Sequence, residues 1–87
     1  MKKNLNNITN LSKEFLISRD GEILRLSKGM LCSEVEIILG KPTRTEPCAN
    51  PLSKKNIYKI KKNLISVCTY MLLFNNEELQ LAIKLTK

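Results

Sequence analysis

Residues 32–39 show the clearest pattern of apolar and polar positions in the chain. Val35, Ile38 and Leu39 recur at spacings of three and four residues, so they would share one face of a helix. Gly40 follows directly and a proline comes two residues later, which is typical of the end of a helix. The pattern predicts a short helix, and a helix of this length is stable only when it packs on another element.

Two short apolar stretches before this helix flank the pair Asp20-Gly21. Asp-Gly between apolar stretches is typical of a β-hairpin. The same residues also suit two short helical segments separated by the glycine. We favour a helix over 22–27, and residues 13–18 remain open between helix and strand.

The second half of the chain predicts strands. Residues 41–55 contain three prolines and predict a long loop, because proline interrupts both helices and central strands. Three stretches rich in Ile, Leu, Tyr and Val follow, at 56–61, 64–74 and 78–86, and these predict strands. A turn at 75–77 joins the last two, so we expect them to pair antiparallel.

The last stretch alternates strictly between apolar and polar residues, which is typical of a half-buried strand. Its predicted buried face, on which the helix would pack, consists of Leu79, Leu81, Ile83 and Leu85. The order of elements predicts an α+β fold, with two short helices packed on a three- or four-stranded antiparallel sheet. We expect one domain over 13–87, preceded by a flexible polar N-terminus over 1–12.

Positive charge is concentrated in the middle of the chain. The formal net charge is +7, and between residues 41 and 62 seven Lys and Arg residues stand against Glu46 alone. Such a patch favours an acidic partner. The predicted partner-binding residues are Lys41, Arg44, Lys54, Lys55, Tyr58, Lys59, Lys61 and Lys62.

Three partners or roles fit this basic segment. An acidic protein is the interpretation that we favour. Nucleic acid fits less well, because six of the seven cations are Lys rather than Arg and because Tyr58 is the only aromatic residue among them. Lysines on an edge strand can also serve only to prevent edge-to-edge aggregation.

The residues needed for catalysis are missing. The chain has no His, its carboxylates are scattered, and its three glycines do not form a phosphate-binding loop. Cys32, Cys48 and Cys68 have no metal-site spacing, and we expect free thiols in a reducing compartment. We therefore expect a binding protein with no enzymatic activity, metal or cofactor. No signal peptide or membrane-spanning segment is evident, which predicts a cytoplasmic protein that does not enter a membrane.

The segment around the predicted helix resembles a known family. The residues that carry the resemblance are Leu26, Gly29, Met30, Glu34, Val35, Leu39, Gly40 and Pro42. Their spacing is similar to a pattern of the BamE/SmpA-like outer-membrane assembly lipoproteins and of the related domain of the beta-lactamase inhibitor protein. The resemblance implies two short helices on an antiparallel sheet and a function in binding other proteins.

Two departures from the family pattern modify this expectation. The lipoproteins have a leader and a lipid-anchored cysteine, which this sequence lacks, and Leu31 stands where the family has a helix-capping threonine. Small cytoplasmic proteins with similar patterns also resemble the immunity proteins of bacterial toxin systems. We therefore expect an inhibitor, and specifically an immunity protein that covers a toxin domain. The alternatives are a lipoprotein-type assembly module without its leader and a nucleic-acid-binding module.

Overall fold

The structure is a computed structural model that describes residues 14–85. Those residues form β1 (Glu14–Arg19), β2 (Glu22–Ser27), α1 (Cys32–Leu39), β3 (Arg44–Pro47), β4 (Ser53–Lys61), β5 (Val67–Asn75) and β6 (Glu78–Lys84). β1 and β2 form a separate hairpin, and β3, β4, β5 and β6 form an antiparallel sheet in that order. The predicted flexible N-terminus over 1–12 lies outside the described residues.

The predicted pair of helices on a sheet is wrong, because a β-hairpin stands where the first helix was expected. The segment 22–27, for which we favoured a helix, is strand β2 and pairs with β1 along its whole length. Asp20 and Gly21 make the turn with φ angles of 50° and 83°, as a type I′ hairpin turn requires. Phe15 and Ile17 of β1 are both buried, so every second residue of this segment points into the core. That spacing is typical of a strand and not of a helix.

The predicted helix is confirmed as α1, with Val35 and Leu39 buried against the core. The backbone N–H of Leu31 donates to Glu34 Oε1 at 2.9 Å, so a carboxylate three residues along satisfies a donor at the helix start. Gly40 ends the helix with a φ of 83°, which side chains disfavour. This helix is too short to reach across a bilayer, and it is the one helix in the described part of the chain.

The predicted loop over 41–55 is partly strand, because it contains β3 and the first residues of β4. β3 is an edge strand, and Pro47 is its last residue, where a proline interrupts no central hydrogen bond. The three strands predicted after the loop are present as β4, β5 and β6. The last two pair antiparallel, as predicted, through a turn at Asn76 and Glu77.

A bulge in β6 breaks the predicted alternation of the last strand. Leu79 and Leu81 lie opposite successive residues of β5, so Gln80 is the extra residue. Leu79 is fully buried, but Ile83 and Leu85 are 39% and 52% exposed. The four apolar residues predicted to share one face against the helix therefore do not do so.

The hydrophobic core lies on one side of the four-stranded sheet, beneath α1 and the hairpin. Its fully buried apolar side chains are Ile17, Leu26, Val35, Leu72, Phe74 and Leu79. The hairpin turn is attached to the end of β4 by two backbone hydrogen bonds. Asp20 N–H donates to the carbonyl of Lys61 at 2.8 Å, and Gly21 N–H donates to that of Lys62 at 2.9 Å.

Candidate protein-binding surface

Alternation along β4 places the predicted binding residues on opposite sides of the four-stranded sheet. Successive side chains of a strand point to opposite sides, and Tyr58 and Ile60 belong to the core cluster. Lys55, Lys59 and Lys61 occupy the alternate positions and so lie on the other side. We call that side the outer face. Among residues 14–85, no helix or strand packs over it.

The centre of the outer face is apolar. Ile57 of β4 lies opposite Met71 of β5, and Met71 lies opposite Ile83 of β6, so one apolar row crosses three strands. Leu73 lies two residues from Met71 on the same side. Ile57 is 2% exposed although it does not belong to the core cluster. The side chains that shield Ile57 from solvent therefore belong to the outer face. The aliphatic parts of Lys and Arg side chains can lie over apolar neighbours in this way.

Four of the predicted cations surround this apolar row. They are Arg44, Lys55, Lys59 and Lys61. Arg44 Nε contacts Glu46 Oε2 at 2.9 Å, so part of its charge is already neutralised. Within the described part of the chain, none of the three lysines has a carboxylate oxygen within 4.0 Å. Their charge is therefore available to a partner.

The other four predicted residues do not join the outer face. Lys41 lies after α1, with its Nζ 3.8 Å from Glu36 Oε1. Lys62 lies in the loop after β4, where its N–H donates to the carbonyl of Ser66 at 2.9 Å. Lys54 and Tyr58 point to the side of the sheet that carries α1. Sequence proximity grouped these residues. Strand alternation separates Lys54 and Tyr58 from the outer face, and Lys41 and Lys62 lie outside the strands.

Lys54 is held on the core side by local contacts. Its Nζ lies 3.6 Å from Glu77 Oε1 and 6.0 Å from the centre of the Phe74 ring. Partial burial lowers the pKa of Lys54, but Cys32 and Glu77 together raise it by more, so its pKa lies above the ordinary value. Lys54 is accordingly a fixed cation beside the start of α1.

Tyr58 is a buried residue and not an exposed contact. Its side chain is 3% exposed, and its hydroxyl donates to the carbonyl of Gly40 at 2.9 Å. Burial, and next the nearby Glu36 carboxylate, raise the pKa of Tyr58 to about 12. The geometry gives this tyrosine a role in fixing the end of α1 to the sheet.

The apolar half of the surface was not predicted from the sequence. Met71 and Leu73 belong to the stretch 64–74, which we interpreted only as a strongly apolar strand. The signal that could have found them is that both alternating sets of residues in this stretch are apolar. One set fills the core, so the other set must lie on the opposite side of the sheet.

One of the three cysteines, Cys32, contacts a buried polar side chain. All three thiols are free, and Cys32 and Cys68 are buried. Asn56 Nδ2 lies 3.7 Å from the sulfur of Cys32, and Thr45 Oγ1 donates to Asn56 Oδ1 at 2.8 Å. These contacts satisfy the one buried polar side chain among residues 14–85. No group of metal-ligating residues is present in that range.

Comparisons with protein-family models, with curated proteins and with solved structures find no match for the chain. The geometry of its surfaces is therefore the basis for any statement of function.

Proposed function

We propose that the chain is a protein-binding module whose outer face docks on an acidic surface of a partner protein. The observation that carries this proposal is the apolar row of Ile57, Met71 and Ile83, surrounded by lysines that have no ion-pair partner among residues 14–85. Protein interfaces combine an apolar centre with a polar rim. The lysines of the rim would steer an acidic partner toward the surface. Burial of Met71 and Ile83, the members of the row that are still partly exposed, would hold the partner there.

The role that we propose for this binding is inhibition. A small domain that covers a functional surface of its partner needs no chemistry of its own, and the sequence offers neither His nor a carboxylate pair for catalysis. An immunity protein that covers a toxin domain is the specific form of this proposal. The fold does not support it independently, because a fold does not determine a function.

A protein partner is better supported than a nucleic acid. Proteins that bind single strands stack bases on exposed aromatic side chains. Phe15, Tyr58, Tyr70 and Phe74 are each at most 9% exposed. The outer face thus offers lysines and aliphatic side chains to a ligand, but no stacking surface.

The test compares charge reversal on the outer face with charge reversal elsewhere. Lys59→Glu and Lys61→Glu together reverse two unpaired cations of the rim. The control is Arg25→Glu with Lys28→Glu, two exposed cations within and directly after the hairpin strand β2. Arg25 lies 3.4 Å from Glu14 Oε1, so the control also breaks one exposed ion pair, which contributes little to stability. Proteins of the native host that are retained by the wild type and the control, but not by K59E/K61E, are purified and their association kinetics measured.

We expect K59E/K61E to slow association by about tenfold at low salt, and we expect the difference to shrink as salt rises. Undiminished association of K59E/K61E at low salt would contradict the proposal. A 20-base single strand and a 20-base-pair duplex, each titrated at two salt concentrations, provide the nucleic-acid comparison. Tight binding with a steep salt slope there would instead favour nucleic acid as the partner.

A further inference from the structure

The edges of the two sheets open onto one cleft at a distance from the outer face. The cleft has a volume of about 430 Å³ and lies between β1 and β6. Glu14, Leu16 and Ser18 of β1, Tyr70 of β5, and Ala82 and Lys84 of β6 contribute to its lining. Phe15 of β1 also lines the cleft, on its inner side. The cleft therefore follows β1 from Glu14 to Ser18 and reaches β6 at two alternate positions.

Among residues 14–85, no strand pairs with the edge of β1 that faces the cleft. Arg19 and Glu22 flank a two-residue turn and are therefore a hydrogen-bonded pair. Bonded and non-bonded pairs alternate along an antiparallel hairpin. The N–H and C=O groups of Leu16 and Ser18 consequently point away from β2. Ser18 N–H lies 3.4 Å from the hydroxyl of Tyr70, a long and readily exchanged contact.

The second half of β6 has a matching edge. Leu85 N–H donates to the carbonyl of Thr69 at 2.7 Å, so residue 85 bonds toward β5. By alternation, Ala82 and Lys84 direct their backbone groups away from β5. The first half of this edge is already covered, because Leu79 exchanges hydrogen bonds of 2.7 and 2.8 Å with Gly29 and Met30. The unpaired part of the β6 edge within residues 14–85 therefore begins after the bulge at Gln80.

We propose that an extended segment of a partner protein inserts as a strand between β1 and β6 and joins the two sheets. Strand edges bind other strands through backbone hydrogen bonds. A cleft with an edge on each side requires an occupant with both of its own edges free. An edge strand of a second folded copy has only one free edge, so it cannot fill the cleft. A single extended segment has two free edges and can fill the cleft.

The lining specifies the side chains of that segment. On the inner side the cleft is bounded by Phe15, Tyr70 and Ala82, which are core residues or pack against the core. Alternate side chains of an inserted strand would point toward them. We therefore expect every second residue of the segment to be apolar. This binding mode does not use the lysines of the outer face, so it stands or fails independently of the proposed function.

The first experiment selects segments with the intact 87-residue chain. A displayed library of random 12-residue peptides is panned against it, and the selected peptides are synthesised. We expect alternating apolar residues and protection from hydrogen exchange at the amides of Leu16, Ser18, Ala82 and Lys84. Failure to select any peptide, or protection confined to other amides, would overturn the proposal.

N-methylation of the selected peptide distinguishes insertion from pairing with one edge. A strand bonded on both sides uses every central N–H, so methylation at each central position in turn should weaken binding at least about tenfold. A strand bonded on one side uses alternate N–H groups. Weakening at every second position only would therefore overturn insertion between the two edges.

Proline variants test the cleft from the side of the protein. Ala82→Pro removes an N–H that points into the cleft and interrupts no bond of the sheet, so the fold should persist. The matched control is Ile23→Pro, whose N–H points outward from the opposite edge of the hairpin. We expect A82P to weaken peptide binding at least about tenfold and I23P to change it less than about twofold.

Equal binding by the two variants would contradict insertion. If A82P fails to fold, Leu16→Pro makes the same test from β1. Protection of the Leu16, Ala82 and Lys84 amides in the free chain would also overturn the proposal, because a segment of the chain itself would then occupy the cleft.

Discussion

Tyr58 shows how a single side chain connects elements that are distant in sequence. Its ring lies in the core cluster formed by the sheet, α1 and the hairpin. Its hydroxyl reaches the carbonyl of Gly40, which directly follows α1. The last carbonyls of a helix lack partners within the helix. Tyr58 therefore supplies a hydrogen bond where the chain leaves α1 for β3.

Tyr58→Phe should lower the free energy of unfolding by about 1 kcal/mol near neutral pH, because the Gly40 carbonyl loses its donor. The pKa of Tyr58 is raised from 10.0 to about 12 in the fold, so folding favours the neutral phenol. That contribution is complete below pH 10 and is lost as the pH rises through about 12. The difference in free energy of unfolding between the wild type and Y58F should therefore decrease as the pH rises from 10 to about 12.

Urea unfolding of both proteins at matched pH values measures this difference. A difference that stayed constant from neutral pH to pH 12 would show that the buried phenol does not titrate as described.

Tyr58 points to the opposite side of the sheet from its neighbour Lys59, and the charge pattern of the sequence could not predict this. The concentration of charge was visible, and three of its residues, Lys55, Lys59 and Lys61, lie at alternate positions of β4. Composition does not record the direction of a side chain. Strand alternation does, but it becomes usable only when it is known that Ile60 lies in the core.

At the scale of elements, the hairpin of β1 and β2 is the feature that changes the expected fold. Its turn was visible in the pair Asp20-Gly21, yet the flanking residues also suited short helices. The hairpin prevails because Phe15, Ile17 and Leu26 then reach one core together. That requirement comes from tertiary packing, which overrides local preference.

Gly21→Ala should destabilise the protein by about 1 kcal/mol, because φ at this position is 83° and a Cβ is disfavoured there. The space around a Cβ is open, so backbone strain and not collision causes the loss. Asp20→Asn is the control, since Asn-Gly suits the same turn. Thermal unfolding of both variants makes the comparison. Equal melting temperatures would mean that the turn does not limit stability.

Helix α1 could be predicted from the sequence, whereas strand β3 and the bulge in β6 could not. Helix α1 was predictable because its apolar spacing, its glycine and its proline agree with one another. β3 was not, because Pro47 argued against a strand and only an edge position tolerates it. The bulge at Gln80 was also hidden, since the residues around it alternate without interruption. Both features depend on how strands pair with one another, which the sequence of a single strand does not record.

At the scale of the whole molecule, the loop between β4 and β5 exposes apolar residues beside the basic surface. Leu64 and Ile65 are 89% and 93% exposed. Asn63 Oδ1 accepts hydrogen bonds from the N–H groups of Ile65 and Ser66, each at 3.0 Å, so backbone contacts define the turn. The two apolar side chains contribute nothing to the core cluster.

Exposed apolar side chains favour association between copies, so Leu64→Ser with Ile65→Ser should give no more self-association than the wild type and should leave stability unchanged. We expect the melting temperature to change by less than about 2 °C, because exposed substitutions away from packed groups have small effects. Sedimentation velocity at rising protein concentration measures the self-association. The control is Ile57→Ser, which opens the 2%-exposed centre of the outer face and should lower the melting temperature. A comparable loss in L64S/I65S would show that the loop supports the fold.

Every pairing between the named strands in residues 14–85 joins strands that are neighbours in the chain, and the isolated bridge between Leu31 and Glu78 is the one long-range β pairing there. Each pairing between named strands therefore closes only a short loop, and the entropy lost on closing a loop grows with its length. Folding can proceed in successive local steps, with the hairpin and the β4–β5–β6 meander forming separately before they dock. Proteins whose contacts are local fold faster than those that must first bring distant segments together. For a chain so rich in strands, this arrangement shortens the time during which unpaired edges are exposed to other molecules.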